Sequence, residues 1–198
     1  MTAVARPSGP RSRAGNAMDR AREGLLTGAV ASVAARGVRQ TTMAAIADTG
    51  GVARATLYNH FRAKDDVLAA AAEHEALRLV AEAAGQPDLA AALAGGFAAV
   101  GRHPAVRHLA ATEPAALAPL LAQGGGPRWS AVRAAVADGL RSHRARSDVA
   151  AVDLVIRLAL SHALDPAGPD GDGVEALVAD ALVADALGVA GPGGDGPR

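Results

Sequence analysis

The stretch from Thr41 to Leu68, TTMAAIADTGGVARATLYNHFRAKDDVL, decides how this chain is read, because it concentrates side chains that are scarce elsewhere. It holds Tyr58 and Phe61, two of the four aromatic residues, and Lys64, the only lysine in 198 residues. Thr42 is placed to cap a helix from Met43 to about Thr49, its hydroxyl accepting a backbone N–H. Gly50 and Gly51 break that helix, and a second short one follows from Arg54 to about His60. Helices this short are not stable alone, so both need a partner to pack on. A preceding helix from about Met18 to Arg36 supplies it, with Leu25, Leu26, Ala29, Val30 and Val33 recurring on one face and Gly37 as its stop.

Ala47, Gly51 and Leu57 have the spacing that a helix-turn-helix unit needs. The small residue lets the two helices approach, the glycine makes the turn, and the leucine anchors the second helix to the first. Ile46 and Val52 complete the small core. The other face of the second helix then points outward with Arg54, Ala55, Thr56, Tyr58 and Asn59, a set able to touch phosphates and base edges.

This segment resembles the DNA-binding signature of the TetR family of bacterial one-component regulators. The likeness runs from Arg20 to about Ala70 and is most specific in TLYNHF followed by Lys64. It implies that Thr42 and Tyr58 hydrogen-bond phosphates and that Lys64 does so with a full charge. Arg54, Ala55, Thr56 and Asn59 would face the groove floor, where Arg pairs best with guanine and Asn with adenine; His60 completes the expected DNA-binding set. Phe61 would be structural, wedged among the surrounding helices. Two residues depart from the family pattern: Ala53 stands where a capping Ser is common, and Val33 where Phe often is.

Composition agrees with this reading. Half the residues are hydrophobic, mostly Ala, Leu and Val, which favours an all-α fold. The resemblance implies its layout: a DNA-binding helical domain followed by a helical ligand-binding and dimerisation domain. The formal net charge of zero hides a division. Residues 1–64 carry ten basic side chains against three acids, a net +7, and residues 65–198 carry ten against seventeen, a net −7. A basic end suits a phosphate backbone, and an acidic remainder is repelled from it. Without cysteine there are no disulfides or thiolate metal sites. No apolar run follows Arg6, Arg11 and Arg13, so no secretory signal is expected. The most hydrophobic stretch, Val149 to Leu164, is shorter than the roughly 20 residues that span a bilayer and contains Asp153 and Arg157. A soluble, cytoplasmic protein with no membrane contact is expected.

Along the chain, residues 1–16 read as a disordered basic arm, 17–63 as the DNA-binding domain and 64–188 as the body, with 189–198 a disordered tail. Helix 4 is expected from Lys64 to about Ala84, and Asp88 and Pro104 open two more. Glu113 to Gly126 reads as broken, Arg128 to His143 as helix, Ser147 as the cap of a helix to Leu164, and Val174 to Leu187 as the last helix. Asp153, Arg157 and Ser161 form the expected polar stripe of the helix ending at Leu164. In proteins this chain resembles, the last two helices pair with their copies, so a homodimer on a palindromic operator is implied. A ligand site for an unknown small molecule would lie among the middle helices, where Phe97, His103, His108, Trp129 and His162 are the candidate residues. His103 and His108 lack the i, i+4 spacing of a helical metal site, so no metal is proposed, and no cofactor is expected. No nucleophile with a base, phosphate-cradling loop or catalytic carboxylate pair is recognisable, which argues against an enzyme. The expected function is a repressor released from its operator by the ligand. The alternative is a helical ligand-binding or protein-interaction module with a vestigial helix-turn-helix.

Overall fold

Alanine and leucine at helical spacing leave this chain little alternative to helix, and the computed structural model, which describes residues 10–117, 129–164 and 174–186, contains no strand among the described residues. The helices are α1 (Pro10–Gln40), α2 (Met43–Thr49), α3 (Arg54–His60), α4 (Lys64–Ala84), α5 (Leu89–Arg102) and α6 (Pro104–Thr112), then a 3-10 turn (Pro114–Ala116), α7 (Ser130–Ser142), α8 (Val149–Leu164) and α9 (Val174–Ala186). No helix among them is long and apolar enough to cross a membrane.

The chain divides into two compact units, residues 1–71 and 72–198. This boundary lies inside α4, not at its start as expected, because Val67 and Ala71 are buried with the core of the first unit. That core consists of Leu25, Leu26 and Ala29 from α1, Ile46 and Ala47 from α2, Leu57 from α3, and Phe61. Phe61 therefore packs among α1, α3 and the first turns of α4, as expected. Each fully buried Leu or Ile contributes about 1.5–3 kcal/mol, which is what holds two helices too short to persist alone.

At its start, α1 overruns the expected arm: residues 10–16, read from sequence as disordered, are helical. Proline suits a first turn because its missing N–H is one that no helix bonds. Residues 1–9 lie outside the described residues. Near its other end Gly37 has φ 77 and ψ 174, a conformation that only glycine adopts readily, so helical geometry stops there as expected. Its carbonyl accepts from Thr41 Oγ1 at 2.6 Å, which accounts for a buried threonine. α1 and α2 approach unusually closely. A Cβ on Gly28 would stand 2.6 Å from both Gly50 N and Ile46 O, and one on Gly50 would stand 2.4 Å from Gly24 O. Beside this contact, the buried Ser32 hydroxyl reaches Thr49 Oγ1 at 3.3 Å.

The second unit is built on two apolar stripes at i, i+4, i+8: Leu89, Leu93 and Phe97 on α5, and Val132, Val136 and Leu140 on α7. α5 packs most extensively on α8, then on α9, which contributes Ala179 and Leu182. Asp88 caps α5 by accepting from Ala91 N at 2.8 Å. α8 is capped by Asp148 and not by Ser147 as expected: its carboxylate accepts from Ala151 N at 3.0 Å. The neighbouring Arg146 guanidinium and this N–H hold the Asp148 carboxyl below the usual carboxylate range. A carboxylate one residue nearer the helix is thus the better-placed acceptor. The expected polar stripe of α8 also needs correction. Asp153 is drawn partly inward by an ion pair with Arg133 on α7, and the exposed line runs instead through Ala150, Leu154, Arg157, Ser161 and Leu164. The expected connector at 165–173, most of the broken segment after Leu117, and the tail lie outside the described residues.

Because the atoms facing Gly28 are backbone and cannot swing aside, Gly28→Ala is expected to destabilise the first unit by about 1–3 kcal/mol, the usual cost of overpacking. Chemical denaturation followed by circular dichroism measures it, with Gly15→Ala, where a Cβ meets nothing within 4 Å, as the control.

Candidate nucleic-acid interface

Three local features position the outward face of α3. Gly51 takes φ +64 and Val52 N donates to Ala47 O at 3.0 Å, which closes the turn after α2. Leu57 is fully buried and fixes which side of α3 faces inward. The opposite side then exposes Arg54, Ala55, Tyr58 and Asn59, with Tyr58 58% accessible. Those four positions lie at i, i+1, i+4 and i+5, so one helical face carries a guanidinium, a methyl group, a phenol and an amide. Thr56 lies half-buried at the margin of this face. His60 departs from the set: its Nε2 is buried without a hydrogen-bond partner, so that edge of the ring points away from solvent. α3 begins at Ala53 with no side-chain cap, as its sequence implies.

Thr42 and Lys64 have intramolecular partners. The Thr42 hydroxyl oxygen accepts from Ala45 N at 3.1 Å, capping α2 and leaving its own hydrogen to donate elsewhere. Lys64 is half-buried, and its Nζ donates to Val38 O at 3.0 Å, at the end of α1. An ammonium has three donors, so this bond occupies one of them. It also ties the start of α4 to the segment that follows the Gly37 stop.

One residue of this surface escaped the sequence reading. Asp48, near the end of α2, forms an exposed ion pair with Arg54 at 3.4 Å. The available signal was that Asp48 is the only acid between Thr41 and Lys64. Gly24 and Gly28 were also missed, although their four-residue spacing is the pattern that lets helices meet closely.

The candidate ligand residues of the second unit fall into separate groups. Phe97 is buried and its ring lies 5.1 Å from that of His162, tilted by 31°. His162 Nδ1 is 3.0 Å from Leu158 O, and its Nε2 is 3.4 Å from the buried Glu175 carboxylate. His103 instead stands at the α5–α6 junction with Nε2 3.0 Å from Glu75 Oε1, and its buried Nδ1 has no partner. Arg78 Nε bonds both Glu75 oxygens at 3.1 Å. Trp129 packs against the core at the start of α7, and His108 lies half-buried on α6. Among the described residues, no three His, Asp or Glu side chains gather as a metal site requires.

With this geometry in place, residues 25–71 match the family model described as bacterial regulatory proteins, tetR family. Residues 25–71 thus form a DNA-binding domain of the tetR-family type, and they lie within the first unit. Among solved structures, it is similar to the TetR family repressor AlkX from Dietzia sp. strain DQ12-45-1b, implicated in biodegradation of n-alkanes, with TM-score 0.64 and 18% identity over 85% of this chain and 97% of that one. A tetR-family transcriptional regulator from Streptomyces coelicolor gives TM-score 0.52 and 23% identity over 90% and 92% of the two chains. At these identities the likeness shows a shared fold. No curated protein matches the chain.

The hydrogen bond from Arg78 lowers the Glu75 pKa, against the opposing effect of burial and with further help from the Arg78 charge and His103. A depressed carboxylate pKa adds stability above the unfolded value that is lost as pH falls through the folded one. Glu75→Gln is therefore expected to lower the melting temperature at neutral pH, with the gap to wild type closing below the ordinary carboxylate range. Melting curves across pH 3–7 measure that gap.

Proposed function

We propose that this protein is a homodimeric repressor that grips a palindromic operator through α3 and leaves it when a small apolar molecule binds the second unit. The observation that carries the DNA reading is the exposed face of Arg54, Ala55, Tyr58 and Asn59, held on a buried core, with Thr42 and Lys64 in the same unit. In this reading Tyr58, Thr42 and Lys64 hold phosphates, while Arg54, Thr56 and Asn59 read base edges, with Ala55 against a thymine methyl. His60 contributes only through whatever part of its ring remains outside.

Dimerisation is supported by apolar side chains that a lone chain leaves open on its last two helices: Leu154 is 43% and Leu177 70% accessible. The line Ala150, Leu154, Arg157, Ser161, Leu164 alternates steps of four and three, the repeat along which two helices can stay in contact. Two reading heads about one DNA turn (~34 Å) apart would then match a palindrome. An effector site near Phe97 and His162 is supported by an imidazole set against a buried ring, and one at His103 by its buried, unpartnered Nδ1. The repressor function of AlkX and its link to n-alkanes fit an apolar effector. α4 supplies residues to both units, so a displacement of it would couple them; 1–3 kcal/mol of coupling changes occupancy many-fold.

Sequencing the genomic fragments that the purified protein retains identifies the operator, and salt-independent or absent duplex binding would favour a vestigial head. On that operator, Lys64→Ala is expected to weaken binding to specific and unrelated duplexes alike and to reduce the salt slope by about 1, whereas Asn59→Ala changes which base is preferred. Fluorescence anisotropy at several salt concentrations separates the two. Leu154→Glu is expected to shift the protein to monomer in sedimentation velocity, and an unchanged dimer would place the interface elsewhere.

A further inference from the structure

Asp48 stands where simple electrostatics disfavours it. It is the penultimate residue of α2, at the end of the helix where the dipole repels negative charge. Its side chain is 65% accessible, on a surface that in the reading above approaches phosphates. The backbone donors at this helix end do not account for its carboxylate: Gly50 N donates to Ile46 O at 2.9 Å and Gly51 N to the Asp48 main-chain carbonyl at 3.3 Å. Its ion pair runs to Arg54, the first residue of α3, across the glycine turn.

We infer that Asp48 is a positioning residue for sequence reading: its carboxylate holds Arg54 over the groove floor and away from the phosphate backbone. The inference rests on the assignment of α3 as the DNA-reading helix. An untethered arginine at the first position of an exposed helix has many rotamers, and in several of them its strongest available partner is a phosphate. The bond to Asp48 engages one terminal nitrogen, Nη2, at 3.4 Å. Nη2 carries a second N–H, and with Nη1 or Nε it completes a two-donor edge that can meet guanine O6 and N7. A carboxylate so placed also repels phosphates, which penalises every duplex on which Arg54 finds no base partner. Asp48 thus trades general affinity for discrimination.

An exposed ion pair is a weak restraint, worth about a two- to fivefold change in a binding ratio. Asp48→Asn is expected to tighten binding to an unrelated duplex by about that factor, steepen its salt slope by about 0.9 as Arg54 gains a phosphate, and lower the operator-to-unrelated ratio. Asp48→Glu should restore part of the ratio. In an Arg54→Ala background, Asp48→Asn should no longer change the ratio. A merely structural role for Asp48 would lower the melting temperature and weaken both duplexes together. Titrations of wild type and these variants against the retained genomic duplex and a scrambled one distinguish the outcomes. Unchanged ratio and slope in Asp48→Asn, or a ratio change that persists without Arg54, would overturn the role of Asp48 alone. Failure of the wild type to bind any duplex would overturn the reading of α3 and this inference with it.

Discussion

The backbone contact between α1 and α2 is the constraint on which the rest of the first unit depends. Gly24, Gly28 and Gly50 have no side chains to hold the helices apart, so main-chain atoms meet directly. Such a contact has little freedom to slide. It fixes the end of α2, and Gly51, in a left-handed conformation, then fixes the direction in which α3 departs. Leu57 sets the rotation of α3 about its axis by entering the same core as Ile46 and Leu25. The outward direction of Arg54, Tyr58 and Asn59 is therefore determined by the glycine contact, the Gly51 turn and the buried Leu57.

Much of this was legible in the residues themselves. Thr42 and Asp88 announce helix starts because a short acceptor before an apolar run has few other uses, and both make the expected bonds. Gly37 was readable for the complementary reason, as a stop that requires positive φ. The misses share a cause: each depends on three-dimensional proximity that local pattern does not encode. Ser147 and Asp148 are both acceptable caps by type, and only the path of the chain decides between them. Asp153 looked like one member of a polar stripe until Arg133, far away in sequence, drew it inward. The pairing of Asp48 with Arg54 spans a turn whose shape the residue types alone do not give. Helical structure from Pro10 was hidden by a composition of Pro, Gly and Ser that resembles a flexible arm, although Arg and Ala within it form helix well.

In the second unit, the candidate ligand residues do not gather at one place. Phe97 and His162 meet, but His103 belongs to a different group, with Glu75 and Arg78. Histidine draws attention in a sequence because it is chemically versatile, whereas Glu75 and Arg78 look like ordinary members of a solvated helical face. The half-buried position of Glu75 and its bonds to Arg78 and His103 make it part of the framework. α4 thus contributes apolar side chains to one core in its first turns and a charged cluster to the other unit further along.

The bond from Lys64 to Val38 has a chemical consequence. Since the sequence contains one lysine, a reagent or enzyme that acylates side-chain amines has a single target in this protein. An amide at that position would lose the charge that now meets the Val38 carbonyl, and the half-buried stem would have to accommodate an acyl group beside it. Amine reactivity is accordingly a one-residue reporter on the contact between Lys64 and Val38, readable by mass spectrometry as a single side-chain adduct.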